Sequence, residues 1–150
     1  MKIRYFNDQD IETIYIIEQK AFDVGAYSRL EINSMIHSKN SFTMVIEENN
    51  SLIGYATSAA IDSSSMDIES IAIIPEFQGK GYGSLLMNSI ENEMVKRNYK
   101  ISILEVREKN RTAYNFYIEH GYKFLQFLID YYSLPYKESR NAYRMIKKLV

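Results

Sequence analysis

One run of residues carries most of the structural information: Ile68-Glu69-Ser70-Ile71-Ala72-Ile73-Ile74-Pro75-Glu76-Phe77-Gln78-Gly79-Lys80-Gly81-Tyr82-Gly83-Ser84. It opens with an apolar, β-branched segment that Pro75 ends, because proline has no N–H to give to a sheet. A loop with three alternating glycines follows, and Leu86, Ile90 and Met94 then recur at helical spacing. Strand, glycine loop and helix N-terminus together predict an anion site, since the free N–H groups of a first helical turn point at the ligand.

The glycine spacing distinguishes between the known phosphate-binding loops. A Walker loop requires Ser or Thr after its Gly-Lys, but Gly81 follows Lys80 here. A dinucleotide fingerprint requires a third glycine where Ser84 stands. The order Gln78-x-x-Gly81-x-Gly83, directly after a strand that ends in proline, resembles the acyl-CoA pyrophosphate loop of the GNAT acetyltransferase superfamily. An ordinary tight turn between strand and helix is the alternative.

A second motif lies in residues 104–122. Its pattern L-E-V-R-x-x-N-x-x-A-x-x-x-Y-x-x-x-G-Y resembles the RimI-type branch and its archaeal and eukaryotic N-terminal acetyltransferase relatives. The resemblance implies that Glu105 is the general base, Tyr117 the general acid and Asn110 an acyl-CoA contact. Glu69 is the alternative base, because several GNAT branches carry their base on that earlier strand.

The chemistry of amine acetylation accounts for these residue types. The attacking amine must be neutral, so a carboxylate near the nitrogen can accept its proton directly or through water. The leaving thiolate, with a parent pKa of ~8.5, needs only a weak donor such as tyrosine. A backbone N–H of residues 71–73 would meet the tetrahedral oxyanion. Each role has an alternative: Glu105 paired with Arg107 or Lys100, Tyr117 packed in the core, and Asn110 acting only as a helix cap.

The resemblance also implies a cofactor site and a substrate groove. The acetyl-CoA contacts come from one strand, the glycine loop and the second motif: Ile71, Ala72, Ile73, Gln78, Gly79, Lys80, Gly81, Tyr82, Gly83, Ser84, Asn110 and Tyr117. In RimI-like enzymes the loop between the first two helices and the late hairpin line a groove for the substrate N-terminus. The corresponding tyrosines here are Tyr27, Tyr131, Tyr132 and Tyr143. Ordinary strand aromatics are the alternative interpretation of these tyrosines.

Composition restricts the other functional classes. A chain of 150 residues fits a single acetyltransferase domain over residues 1–150. A net charge of −1 without a basic stripe argues against nucleic acid and membrane surfaces as partners. No apolar stretch approaches the ~20 residues of a membrane span, and the N-terminus lacks the apolar region of a signal peptide. We therefore expect a cytoplasmic location. With no cysteine and two distant histidines, no metal site is predicted.

The element order predicted from periodicity is β-α-α-β-β-β-α-β-α-β-β, with a second helix to about residue 39 and a late strand over residues 122–132. This order predicts an α/β (α+β) protein with a mixed central sheet of about seven strands and helices on both faces. It is also the order of the GNAT fold.

The predicted function is transfer of acetyl from acetyl-CoA to the α-amino group of a peptide or protein N-terminus, including ribosomal or nascent chains. Both substrates would be bound together and the amine would attack directly. Within the enzyme class, the alternative is a small-molecule amine or a protein lysine as acceptor. Outside it, the alternative is a non-catalytic acyl-CoA-binding regulatory module. The oligomeric state is open between monomer and homodimer.

Overall fold

The computed structural model describes every residue from Met1 to Val150. Its elements follow the predicted order: β1 (Lys2–Tyr5), α1 (Ile11–Ala21), α2 (Arg29–Ile36), β2 (Ser41–Glu48), β3 (Ser51–Ala60), β4 (Ser65–Ile73), α3 (Tyr82–Lys96), β5 (Ile101–Arg107), α4 (Arg111–Glu119), β6 (Lys123–Leu128) and β7 (Ala142–Lys148). Short 3-10 turns precede α1 and α3. None of the helices has the length and apolar character needed to cross a membrane.

All seven strands form one mixed sheet in the order β1-β2-β3-β4-β5-β7-β6. Neighbouring strands are antiparallel except β4 and β5, which run parallel because α3 crosses over between them. Ile14 and Ile17 of α1 pack on one face of the sheet. Leu86 and Ile90 of α3 belong to the larger core on the other face. The predicted architecture, seven strands with helices on both faces, is confirmed.

The two parallel strands separate halfway along their length. Their pairing ends at Ile68 and Leu104, and beyond that point β4 pairs only with β3 and β5 only with β7. The register between β3 and β4 shifts at Thr57 and Ser58, which leaves Glu69 without a partner across the ladder. Such a bulge bends the strand and redirects its side chains. The facing edges of β4 and β5 thus border a wedge-shaped opening.

Helices α1 and α2 cover only part of their side of the sheet. They pack on β2, β3 and β4, and no helix lies over the same face of β5, β7 and β6. Side chains alternate between the two faces along each strand. Leu104 and Met145 therefore enter the core under α3, whereas Glu105 and Arg144 lie on the uncovered face.

Two element boundaries differ from the predicted ones. Helix α2 ends at Ile36 rather than near residue 39, and Asn40, with φ of 57°, turns the chain into β2. The late strand ends at Leu128 rather than at residue 132. Asp130 has φ of 53°, a left-handed conformation that cannot continue a strand. Residues 131 and 132 consequently belong to a loop.

Replacing Gly54 by alanine is expected to destabilise the protein by about 1–3 kcal/mol, because overpacking a filled position forces its neighbours to move. The new Cβ would lie 2.7 Å from the carbonyl oxygen of Ala72 and 2.5 Å from Cδ1 of Ile73. Urea unfolding followed by circular dichroism measures the loss. Gly83→Ala is the matched control, since its Cβ would lie an ordinary 3.5 Å from Phe116. Equal stability of Gly54→Ala and the parent protein would contradict this close contact.

Candidate active site

Two cavities meet where β4 and β5 separate. The first cavity, of about 680 Å³, lies between the separated strands, the glycine loop and α4. The second cavity, of about 650 Å³, lies on the uncovered face of the sheet. Tyr27, Ile68, Glu69, Glu105 and Tyr132 line both cavities, and we call these five residues the junction. Molecules held in the two cavities would therefore meet at the junction.

One wall of the first cavity is the free edge of β4. The N–H of Ile74 donates to the carbonyl of Ile53 on β3 at 2.9 Å, whereas the carbonyl of Ile73 accepts from Gln78 Nε2 at 2.7 Å. Because successive residues of a strand direct their backbone groups to opposite edges, the N–H and C=O groups of Ile71 and Ile73 face the cavity. Apart from the Ile73 carbonyl, which Gln78 occupies, these groups can pair with amides of a ligand as an added strand would.

The glycine loop fits an anionic group. Gly79 and Gly81 have φ of 74° and 91°, and no atom lies within 4 Å of the Cβ position at either residue. Gly81 is the N-cap of α3, no side chain caps this helix, and the first backbone hydrogen bond comes from the N–H of Leu85. The N–H groups of residues 82–84 are thus free to bind a ligand such as the diphosphate of CoA.

Two predicted cofactor residues, Lys80 and Tyr82, do not line the first cavity. The Tyr82 hydroxyl donates to a carboxylate oxygen of Glu48 at 2.7 Å, and the Lys80 ammonium lies 5.5 Å from the centre of the Phe77 ring. Their contact with the cofactor stays a prediction. Gln78 lines the cavity, but its amide holds the carbonyl of Ile73 and so fixes the loop against the strand.

Asn110 and Tyr117 line the first cavity from the side of α4. Asn110 Oδ1 accepts from the N–H of Ala113 at 3.2 Å and caps the helix. Tyr117 is half-buried, and burial alone raises the pKa of its hydroxyl to about 12. The tyrosine therefore stays protonated at physiological pH and has a proton to donate into the cavity.

Three carboxyl groups lie together on the uncovered face, those of Asp67, Glu69 and Glu105. Glu105 accepts from Arg144 Nε at 2.8 Å, and these two residues are direct partners across β5 and β7. Burial and a hydrogen bond with Glu105 raise the pKa of Asp67 to about 9. Burial and the charge of Glu105 also raise the pKa of Glu69. Asp67 is thus protonated at neutral pH and donates to Glu105.

Aromatic side chains from two loops form the walls around the junction. The Tyr27 hydroxyl, from the loop between α1 and α2, donates to the carbonyl of Glu69 at 3.3 Å. Tyr131 and Tyr132, from the loop after β6, stand perpendicular with ring centres 4.9 Å apart. The Arg107 guanidinium lies 3.9 Å from the centre of the Tyr132 ring. Both loops therefore reach the junction, through Tyr27 and Tyr132.

Tyr143, a predicted substrate contact, lines neither cavity. Its ring packs against Tyr114 and Phe127, with centres 5.2 and 5.5 Å apart. Alternation along β7 explains this placement, because Arg144 occupies the uncovered face and its neighbour must point to the other side. The expectation for Tyr143 is therefore corrected.

Sequence reasoning missed three residues of the site: Glu18, Asp67 and Arg144. Glu18 is buried on α1, and its carboxylate accepts from Tyr55, from Ser70 at 3.1 Å and from the N–H of Tyr27 at 3.0 Å. Asp67 stands two residues before Glu69, so strand alternation was a signal for it. Arg144 had no local signal, since its place depends on the register of distant strands. The alternative partners considered for Glu105, Arg107 and Lys100, do not pair with it.

Asp67→Asn is expected to gain thermal stability over the parent protein as the pH rises. The pKa of Asp67 is about 9 in the folded protein against a usual 3.8. Between these values the folded state binds a proton that the unfolded chain releases, so stability falls with increasing pH. Asparagine does not titrate, and its advantage in Tm should grow between about pH 5 and about pH 9.

Asp62→Asn serves as a control of opposite sign for this measurement. Hydrogen bonds from the N–H groups of Ser64 and Ser65 lower the pKa of Asp62. The charged form of Asp62 stabilises the folded protein above its usual pKa, and this contribution is lost in acid. Asp62→Asn should therefore have a lower Tm than the parent protein at neutral pH. Parallel curves of Tm against pH for Asp67→Asn and the parent protein would contradict the assignment of Asp67.

Comparison with known proteins agrees with this geometry. The sequence matches the model of the Acetyltransferase (GNAT) family over residues 9–122. An uncharacterized N-acetyltransferase of Methanocaldococcus jannaschii is 31% identical over 99% of this chain and 92% of that protein. The [ribosomal protein bS18]-alanine N-acetyltransferase of Haemophilus influenzae is 30% identical over 89% of this chain and 88% of that protein. Ard1 from Thermoplasma volcanium shares the fold with a TM-score of 0.88 and 27% identity, covering 99% of this chain and 97% of that one.

These matches confirm the family resemblance drawn from the glycine loop and the second motif. The family model covers both the loop at Gln78–Ser84 and the helix that carries Tyr117. The acetyl donor of such enzymes is acetyl-CoA, and the free edge of β4 and the glycine loop fit it. The chain belongs to the GNAT family of acetyltransferases.

Proposed function

We propose that this protein is a single-domain Nα-acetyltransferase, which transfers acetyl from acetyl-CoA to the α-amino group of a peptide or protein N-terminus. The observation that carries the proposal is the junction, where a cavity suited to acetyl-CoA meets a second cavity on an open sheet face. The relative in Haemophilus influenzae supports it, because that enzyme acts on the alanine of ribosomal protein bS18. Ribosomal and nascent chains are accordingly the first acceptors to consider.

The first cavity would hold the acetyl donor along its whole length. The free N–H groups of residues 82–84 would bind the diphosphate, and the edge formed by Ile71 and Ile73 would pair with the amides of the pantetheine arm. When bound, acetyl-CoA supplies a thioester to the junction. A backbone N–H of the β4 edge would stabilise the oxyanion that forms there.

The second cavity suits an extended peptide with a free amino terminus. It opens along the sheet face, and Tyr131 at its rim is 47% exposed. Glu69 and Glu105 at its inner end provide negative charge for an incoming ammonium group. An α-amine, with a pKa of ~7.7–8.0, is neutral far more often at physiological pH than a lysine at ~10.4. The neutral form is the one that attacks, so the α-amine requires less help from the protein.

The site residues divide into two chemical roles, proton acceptor and proton donor. A carboxylate of the junction, Glu69 or Glu105, accepts the proton that the nitrogen loses when it attacks the thioester. The hydroxyl of Tyr117 donates to the departing sulfur. The amine would attack the donor directly, and a sequence without a cysteine to form a thioester intermediate is consistent with this step.

Gly81→Ala is expected to weaken acetyl-CoA binding by about tenfold or more, because a side chain at this left-handed position strains the loop that presents the N–H groups. Isothermal titration calorimetry measures the dissociation constant. Gly121→Ala is the matched control, since Gly121 has a similar φ of 89° but lies outside the first cavity. Equal affinities in the two variants would exclude the glycine loop as the diphosphate site.

Incubation with acetyl-CoA and a peptide library varied at its first two residues tests the proposed function. We expect mass spectrometry to find acetyl groups on free α-amines. Peptides with blocked α-amines and internal lysines are the control, and they should stay unmodified. Acetylation confined to lysine, or none at all despite bound acetyl-CoA, would contradict the proposal while leaving the family assignment intact.

A further inference from the structure

We propose that His120 is a positioning residue for the acetyl donor: its protonated form frees the hydroxyl of Ser84 to bind the diphosphate, so that binding of acetyl-CoA is coupled to uptake of a proton. The inference rests on the proposed function in one respect, that it places the diphosphate at the glycine loop. It concerns the affinity for the donor and involves none of the carboxyl groups at the junction.

The imidazole of His120 connects the end of α4 to the start of α3. Its Nδ1 lies 2.7 Å from the carbonyl oxygen of Phe116, and its Nε2 lies 2.9 Å from Oγ of Ser84. Ser84 is the third residue of α3 and lines the first cavity, whereas His120 is half-buried and does not line it. The hydrogen bonding of His120 therefore acts on a ligand in this cavity through Ser84.

The contact with Phe116 determines which nitrogen carries the hydrogen in the neutral imidazole. A carbonyl oxygen only accepts, so Nδ1 must be the donor, and the Nε2 of a neutral His120 is bare. The Ser84 hydroxyl must then donate its hydrogen to Nε2, because two acceptors cannot form a hydrogen bond. In this state Ser84 can offer the cavity only the lone pairs of its oxygen, which repel a phosphate oxygen.

Protonation of His120 reverses the direction of its hydrogen bond to Ser84. Nε2 then carries a hydrogen and donates to Oγ, so the hydroxyl hydrogen of Ser84 is free to turn toward the cavity. There it adds one donor to the free N–H groups of residues 82–84. The protonated state therefore binds an anion at the glycine loop more tightly than the neutral state does.

The two helix ends that meet at His120 couple its charge to the ligand in the same direction. The carbonyl end of α4 favours a cation at His120, whereas the N–H end of α3 opposes one. A diphosphate at the glycine loop offsets the opposing effect of α3, so the bound donor favours the protonated imidazole. Because coupling between two binding events is reciprocal, the protonated protein binds the donor more tightly.

The charged side chains that α3 and β7 present on this side of the sheet are paired with each other. Glu91 lies two helical turns after Ser84, on the same face of α3. Its carboxylate accepts from Lys147 of β7 at 2.8 Å and from the Tyr122 hydroxyl at 2.9 Å. This ion pair is present with either form of His120, so it does not supply the proton linkage.

The titratable groups of α4 and of the glycine loop are directed elsewhere. Tyr117 lines the first cavity, and Glu119 is exposed to solvent. The Lys80 ammonium lies 5.5 Å from the centre of the Phe77 ring. Imidazole is the side chain that ordinarily changes charge between about pH 5 and about pH 8. A linkage in that range at this contact therefore identifies His120.

Isothermal titration calorimetry with 3′-dephospho-CoA tests the inference. This probe keeps the diphosphate of CoA but lacks the phosphate monoester, a group that itself titrates near about pH 6. In the parent protein the Kd should rise about tenfold from about pH 6 to about pH 8, the usual effect of one opposite charge on a titrating group. Titrations at about pH 7 in buffers of different ionisation enthalpy should show net proton uptake on binding.

His120→Gln separates the hydrogen bond from the titration. Glutamine keeps an N–H donor for Ser84 but does not titrate, so the Kd should be nearly the same at both pH values, without proton uptake. His37→Gln is the matched control, because it removes the other histidine of the sequence, at the end of α2, and should keep the full pH dependence. Circular dichroism verifies the fold of each variant.

Ser84→Ala tests whether the effect of His120 passes through the hydroxyl. At about pH 6 the variant should bind the probe about tenfold more weakly than the parent protein, since it lacks a hydrogen bond to a charged group. At about pH 8 the loss should be much smaller, because the parent hydroxyl is then directed to the imidazole.

Three results would overturn the inference: a parent Kd that is independent of pH, a Kd of His120→Gln that varies with pH as the parent value does, or an equal loss at both pH values in Ser84→Ala. A parent protein that does not bind the probe would contradict the diphosphate site as well. Failure of the proposed function alone gives a different result, in which the probe binds with proton uptake but no peptide α-amine is acetylated.

Discussion

The separation of β4 from β5 is the constraint on which the rest of the site depends. Two strands joined along their whole length would satisfy each other's backbone groups and leave no space between them. By parting after Ile68 and Leu104, they expose the edge that fits the donor and open a passage between the two faces of the sheet. The bulge at Glu69 lies at this point, and it places a carboxylate in the passage.

A strand with one unpaired edge requires support from its other neighbours. Glu18 provides part of it, because its carboxylate accepts hydrogen bonds from Tyr55 on β3, Ser70 on β4 and the backbone of Tyr27. One buried carboxylate thus connects α1, two strands and the substrate-side loop. Burial raises the pKa of Glu18, whereas these three hydrogen bonds favour its charged form. At the far end of the strand, Gln78 holds the last free carbonyl of β4 and the glycine loop together.

The parts of the site that the sequence predicted are those encoded by neighbouring residues. The glycine loop and its helix, and the spacing of Glu105 to Tyr117, are local patterns, and the structure places them around the first cavity. The ion pair of Glu105 and Arg144 joins residues 39 positions apart. It depends on the register of β5 and β7, which no local pattern reveals. The prediction for Tyr143 failed for the same reason. Side chains alternate between the two faces of a sheet, but this alternation identifies the face of Tyr143 only when the face of another β7 residue is known.

The charges at the junction form a set whose members depend on each other. Of the three carboxyl groups, that of Glu105 pairs with the Arg144 guanidinium, and Asp67 retains its proton because its pKa is about 9. Arg144 and Glu105 compensate each other, so the carboxyl group of Glu69 faces the two cavities without a cation of its own. A positively charged acceptor group would find this carboxyl group free where the two cavities meet, and it would supply the cation that Glu69 lacks.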